Sequence, residues 1–155
     1  MKNIKQIMKW IVISETVGIS GAIFTSPAIP TWFIFLNKPV FSPPNWLFGP
    51  VWTLLYAMMG LAFGIILSTE TKQAKAKAKQ FFYIQLTLNF LWSVLFFGAK
   101  LPLFAFGEIV MLWVAIIFCI AEFLKINRTA GYLLVPYLLW VSFASILNLA
   151  IAVLN

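Results

Sequence analysis

Charged residues punctuate this chain at wide intervals, and the stretches between them are apolar on every side. Residues 39–69, 80–99 and 129–155 carry no charge, residues 10–37 carry only Glu15, and residues 101–124 carry only Glu108 and Glu122. A helix crosses the roughly 30 Å hydrocarbon core of a bilayer with about 20 residues. The pattern therefore predicts an all-α integral membrane protein, a bundle of five transmembrane helices at about 7–26, 46–68, 80–98, 102–124 and 130–153. They form one domain over residues 1–155, with no soluble domain beside it. Ser26-Pro27-Ala28-Ile29-Pro30 is expected to end the first span, because proline lacks a backbone donor and constrains its predecessor. Pro39, Pro43 and Pro44 follow, so 27–45 reads as a long first loop.

Composition supports this reading. Of 155 residues, 63% are hydrophobic and 10% charged, less than half the charge of a soluble domain. That excludes an ordinary cytosolic enzyme, a disordered tail and a nucleic-acid-binding module. The Lys-rich start before an apolar run resembles a signal peptide, but Glu15 interrupts the run and no clear cleavage motif follows, so an uncleaved first helix is expected. The N-terminus has Lys2, Lys5 and Lys9, the second connector Lys72, Lys75, Lys77 and Lys79, and the fourth Lys125 and Arg128. The opposite side has only Lys38 and Lys100. The positive-inside rule then puts the N-terminus in the cytoplasm and the C-terminus outside. No internal repeat is visible, which weighs against an inverted-repeat transporter.

Absences narrow the chemistry. With no His, no Asp and a lone Cys119, the chain offers no imidazole base, no His-ligated haem iron, no metal cluster and no intrachain disulfide. Against this stand 16 Phe, 7 Trp and 4 Tyr. A site here is built of aromatic faces and a few neutral polar groups.

Helical spacing groups these residues. Trp52, Tyr56, Met59 or Gly60 and then Phe63 share a face of the second span. Pro136, Trp140, Ala144 and Asn148 recur every fourth residue on the fifth, where a small residue between Trp and Asn leaves a recess. Gln85, Asn89, Trp92, Ser93 and Phe96 lie on one side of the third, facing the bundle interior because polar amides are costly in lipid. Gln85 and Asn89 read equally as interhelical glue and as ligand contacts. Trp10, Trp32 and Trp46 sit at span ends, where belt residues collect. Gly60 and Gly64 form a GxxxG, and Ser14, Gly18 and Ala22 a row of small residues, both suited to close helix contact within or between chains. Glu122 has Lys125 three residues on as a partner. Glu108 has no cation near it in sequence except Lys100, and an intramembrane acid is a functional candidate.

The segment Trp32 to Gly60, WFIFLNKPVFSPPNWLFGPVWTLLYAMMG, resembles the signature of the TspO/MBR family, the tryptophan-rich sensory proteins and the mitochondrial translocator protein. Gln85 to Gly98 and Leu134 to Asn148 resemble that family's third and fifth helices, and the likeness runs through nearly the whole chain. The resemblance implies five transmembrane helices, usually in a homodimer. It also implies a pocket for porphyrins such as protoporphyrin and for isoquinoline carboxamide and benzodiazepine ligands. Light- and oxygen-dependent porphyrin breakdown in bacterial relatives is attributed to pocket tryptophans that match Trp52 and Trp140. Other pocket positions of the family match Trp32, Phe33, Pro43, Phe48, Tyr56, Asn89, Trp92, Phe96 and Ala144, and its fourth-helix acid matches Glu108.

The residues accord with that implication. A porphyrin is a flat apolar disc with carboxylates at one edge, suited to stacked Trp and Phe faces. Lys38, on the first loop, is placed to meet a propionate. No cofactor is obligatory, and porphyrin is expected as ligand. The location expected is the cytoplasmic membrane of a bacterium. No Lys or Arg follows Arg128, so Tyr137 cannot complete the cholesterol motif of vertebrate relatives, and only Lys79-Tyr83-Leu86 fits its reversed form; this speaks against cholesterol as a partner. Two rival readings stand beside the porphyrin sensor or carrier. One is a proton-coupled exporter of lipophilic aromatic cations using Glu15 or Glu108. The other is a purely structural partner of other membrane proteins.

Overall fold

In the computed structural model, which describes residues 2–71 and 75–155, the described residues form helices and connecting turns with no strand. The order is α1 (Lys2–Thr31), α2 (Phe48–Ser68), α3 (Ala76–Ser93), α4 (Pro102–Ile126), α5 (Arg128–Leu133) and α6 (Val135–Leu154). Five segments are long and apolar enough to cross a membrane: Asn3–Thr31, Asn45–Ser68, Ala76–Gly98, Pro102–Ile126 and Arg128–Leu154. Their outer faces carry exposed apolar side chains, among them Ile19, Ile23, Phe104, Leu139 and Val153, as a lipid-facing bundle requires. Lys72, one of the basic residues in the orientation count, lies outside the described residues.

The middle three spans lie close to the expected ranges, and the first departs most. Helix α1 runs to Thr31 through Pro27 and Pro30, so the expected loop at 27–45 begins five residues later. In lipid an interrupted helix is better than an open one, because every freed backbone group needs a partner within the protein. Hydroxyls add bonds around the prolines: Thr25 Oγ1 donates to Gly21 O and Thr31 Oγ1 to Pro27 O, and Trp32 N–H still reaches Ala28 O at 2.9 Å. The third span ends in a π-helical turn at Val94–Gly98, and the turn after it puts Lys100 at φ 57°. The fifth span is broken between α5 and α6, where Pro136 has no N–H to offer the preceding turn. Asn127 caps α5, its Oδ1 accepting from Ala130 N–H at 3.1 Å.

The two glycines of the GxxxG motif bring α1 against α2. A Cβ at Gly60 would overlap the Ile11 Cα and the Trp10 carbonyl, and one at Gly64 would sit 2.6 Å from the Ile7 Cα. The motif thus joins helices of one chain. Beside it, Trp10 sets its edge on Phe63 (4.6 Å, 84°), and Phe63 stacks flat on Phe82 (3.9 Å, 5°) with Phe123 behind. Trp10 therefore packs into the bundle rather than serving as a belt residue, and Trp32 likewise turns inward onto Phe96 at 5.7 Å. Trp46 stays 71% exposed.

The glycines make a contrast that stability measurements resolve. Gly107 on α4 has open space where a Cβ would stand, so Gly107→Ala should leave the melting temperature unchanged or raise it slightly. Gly60→Val must push α1 away and should cost about 3 kcal/mol or more, read as a lowered midpoint of unfolding in detergent.

Candidate functional site

Beyond the glycine contact α1 and α2 part, and a cavity of about 230 Å³ opens between them, α3 and the first loop. Helix α1 contributes Glu15, Gly18, Ala22 and Ser26 to its wall, the loop Phe33 and Asn45, α2 Phe48, Trp52 and Tyr56, and α3 Asn89, Trp92 and Ser93. Trp52 and Tyr56 are one turn apart on α2, and Asn89 and Trp92 one turn apart on α3, so each helix presents one stripe. The rings meet at oblique angles: Trp52 lies 5.9 Å from Tyr56 and 6.4 Å from Trp92.

A separate recess of about 20 Å³ lies behind this wall, lined by Phe96, Trp140, Ala144, Leu147 and Asn148. Phe33, Phe48, Trp52, Trp92 and Phe97 border both spaces. Phe48 is the partition on one side, its ring 6.1 Å from Trp140, and Trp92 stacks on Phe96 at 5.2 Å on the other.

The residues expected in the site divide accordingly. Phe33, Phe48, Trp52, Tyr56, Asn89 and Trp92 line the larger cavity, while Phe96, Trp140 and Ala144 line the recess. Trp32 and Pro43 line neither, and Trp32 packs against Phe96 of the recess wall. Glu108 is buried on α4, borders neither space, and neither carboxylate oxygen has a hydrogen-bond partner among the described residues. Glu15 does line the cavity, beside Gly18 and Ala22 from the small-residue row. The signal for it lay in α1's true length. With the span beginning at Asn3 rather than residue 7, Glu15 sits about 18 Å along the helix.

Buried polar groups fix the walls. Tyr56 Oη donates to Asn89 Oδ1 at 2.5 Å, and Asn89 Nδ2 donates to Tyr137 Oη at 2.6 Å, joining α2, α3 and α6. Trp92 Nε1 donates to Asn148 Oδ1 at 2.9 Å, and Asn148 Nδ2 to Pro102 O at 2.7 Å, joining α3, α6 and the start of α4. Gln85 is just as buried, yet its amide has no partner among the described residues. The loop over the cavity is tied to the end of α6: Asn37 N–H donates to Asn155 Oδ1 at 2.9 Å, and Asn155 Nδ2 to Asn37 O at 3.0 Å. Lys38 Nζ donates to Ile34 O and Leu36 O and stands 4.9 Å over the Phe33 ring. That places a cation directly behind a ring that both spaces share. Away from the site, Glu122 and Lys125 form the expected ion pair at 2.6 Å.

Comparison with known proteins agrees with this architecture. The model of the TspO/MBR family matches residues 10–154. The tryptophan-rich protein TspO of Archaeoglobus fulgidus is 42% identical over 153 residues, 99% of each chain. The tryptophan-rich sensory protein of Cereibacter sphaeroides is 33% identical over 151 residues, 96% of this chain and 94% of its own. The human translocator protein is 32% identical over 120 residues, 76% of this chain and 70% of its own. With its span order, its aromatic cavity and these likenesses, the chain belongs to the TspO/MBR family.

Proposed function

We propose that this membrane protein binds porphyrins, protoporphyrin among them, and isoquinoline- or benzodiazepine-type ligands between its helices, as a tetrapyrrole sensor or carrier. The observation that carries the reading is the aromatic cavity, whose walls are Phe33, Phe48, Trp52 and Trp92 and whose neighbouring recess holds Trp140. At about 230 Å³ the cavity is slightly below the roughly 300–1,000 Å³ usual for drug-sized ligands. A porphyrin disc needs more room, and displacing Phe48 and Trp52 would join cavity and recess into one slot. Lys38 supplies positive charge at the loop end, where propionates would lie. The protein is read as a homodimer in a bacterial cytoplasmic membrane. Gly60 and Gly64 already hold α1, so a dimer contact uses another face.

In light, the indoles have a chemical part in this reading. One electron passes from Trp52 or Trp140 to the excited porphyrin, leaving an indole radical cation and a porphyrin radical anion. Dioxygen is the co-reactant that then adds to the reduced ring. Trp52→Phe and Trp140→Phe keep an aromatic platform without the easily oxidised indole. Porphyrin affinity should change less than about threefold, while light-driven loss of the Soret band slows in each variant and nearly stops in the double variant. Free porphyrin in detergent under the same lamp sets the background. Unchanged bleaching in the double variant would make the tryptophans walls only.

Ala144 tests the joining of the two spaces. Ala144→Leu fills the recess without reaching the larger cavity, so it should weaken protoporphyrin binding by tenfold or more, on the order of 1.4 kcal/mol, and a compact isoquinoline ligand much less. Equal losses for both ligands would contradict the slot.

Orientation is tested separately. Nine of eleven basic residues fall on the side of the N-terminus and the Glu70–Lys79 connector, so that side is read as cytoplasmic. An alkaline phosphatase fused after Asn155 should be active, and a cytoplasm-dependent reporter at the same place silent.

A further inference from the structure

The cavity is polarised along its length. Glu15 and Ser26 both line it, eleven residues apart on α1, so it extends about 16 Å along the helix. At the loop end lie donors with no partner among the described residues, the Asn45 amide and the Ser26 hydroxyl, with the Lys38 ammonium behind Phe33. At the inner end the donors are already engaged. Tyr56, whose ring lies against Gly18 one turn from Glu15, gives its hydroxyl proton to Asn89, and the Asn89 amide is turned to Tyr137. What faces the ligand there is the Glu15 carboxylate, which has no hydrogen bond or ion pair among the described residues. An acid placed in a membrane span beside an aromatic cavity, without a cation of its own, is a ligand-recognition group.

We propose that Glu15 sets the specificity of the cavity by holding the donor end of the ligand. The class selected is a flat aromatic ring system with a protonated amine or ring N–H at one end. Any acidic substituent lies at the other end, toward Asn45, Ser26 and Lys38. The rings of Trp52 and Tyr56 add the attraction of their faces for a cation. The inference rests on the reading that this cavity is the binding site, and it adds a direction to it: a dicarboxylate porphyrin enters with its propionates at the loop and its carboxylate-free edge toward Glu15.

The test compares three probes by quenching of tryptophan emission, with the full chain in nanodiscs of phosphatidylcholine and empty discs as blank. The probes are protoporphyrin, an aminoacridine cation, and uncharged acridine, which has the same ring shape but only an acceptor. The parent protein should bind the aminoacridine about tenfold or more tighter than acridine, the worth of one charge-assisted hydrogen bond. Glu15→Gln has the same shape and still accepts a hydrogen bond, but lacks the charge. It should bring the two acridines to within about threefold of each other, chiefly by weakening the cation, and leave protoporphyrin within about threefold. A cation preference undiminished in Glu15→Gln overturns the proposal, and so does an equal loss of all three probes, which would make Glu15 a structural residue. Failure of the parent to bind protoporphyrin at all overturns the cavity reading itself, an outcome distinct from either.

Discussion

In a bilayer an amide without a partner has no water to turn to, and the geometry of this bundle follows from how Asn89 meets that constraint. It accepts from Tyr56 on α2 and donates to Tyr137 on α6, so one side chain fixes the relation of three helices at the inner end of the cavity. Asn148 does the same nearer the loop, taking the Trp92 indole N–H and donating to the Pro102 carbonyl. Removing either amide leaves its partners buried and unpaired, which costs more than the bond itself is worth. The bonds also decide which surfaces line the cavity. The Trp92 N–H and the Asn89 amide are bound to neighbouring helices, and the ring of Trp92 is left to the cavity. These bonds hold the Asn89 and Trp92 side of the wall in place.

The number of spans, the stripes of Trp52–Tyr56 and Asn89–Trp92, and the recess at Ala144 were legible because they rest on charge spacing and helical period, both local properties of the sequence. What was not legible depended on neighbours. Pro27 and Pro30 read as a helix end by rules learned from water, yet α1 continues through them. Trp10 and Trp32 looked like belt residues by position, but both turn inward because Phe63 and Phe96 stand where their rings can pack. The split of the site into cavity and recess had no sequence signal at all, since it depends on rings from the first loop, α2 and α3 (Phe33, Phe48, Trp52 and Trp92) that border both spaces. Gln85 shared the helical stripe of Asn89 and the expectation of a partner. Only Asn89 found one, because tyrosine hydroxyls from two helices converge at its level and not at Gln85.

The two intramembrane acids show how much a face decides. Glu108 and Glu15 are the same residue type in two spans of mean hydropathy 2.5 and 1.4, and sequence favoured Glu108. Its side chain is buried in the bundle and borders neither the cavity nor the recess, whereas Glu15 stands at the wall of the cavity. Proximity to a space that a molecule can occupy, rather than depth in the span, is what distinguishes the surroundings of the two acids.

That space exists because α1 touches α2 at one end and toward the other packs on the end of the third span instead, through Phe24 against Phe90 and Gly98. Gly60 and Gly64 let the backbones of α1 and α2 touch near Ile7 and Ile11. One turn past Glu15, the Tyr56 ring occupies the place a Cβ at Gly18 would take, and from there toward the loop the helices are separated by the width of an aromatic side chain or more. The result is a wedge. Its apex is the glycine contact, its loop end is covered by the segment that Asn37 ties to Asn155, and its open side carries the exposed Ile19, Ala22 and Ser26 opposite Gly49 and Thr53. Small residues on that side keep it low, and the bilayer lies directly against it.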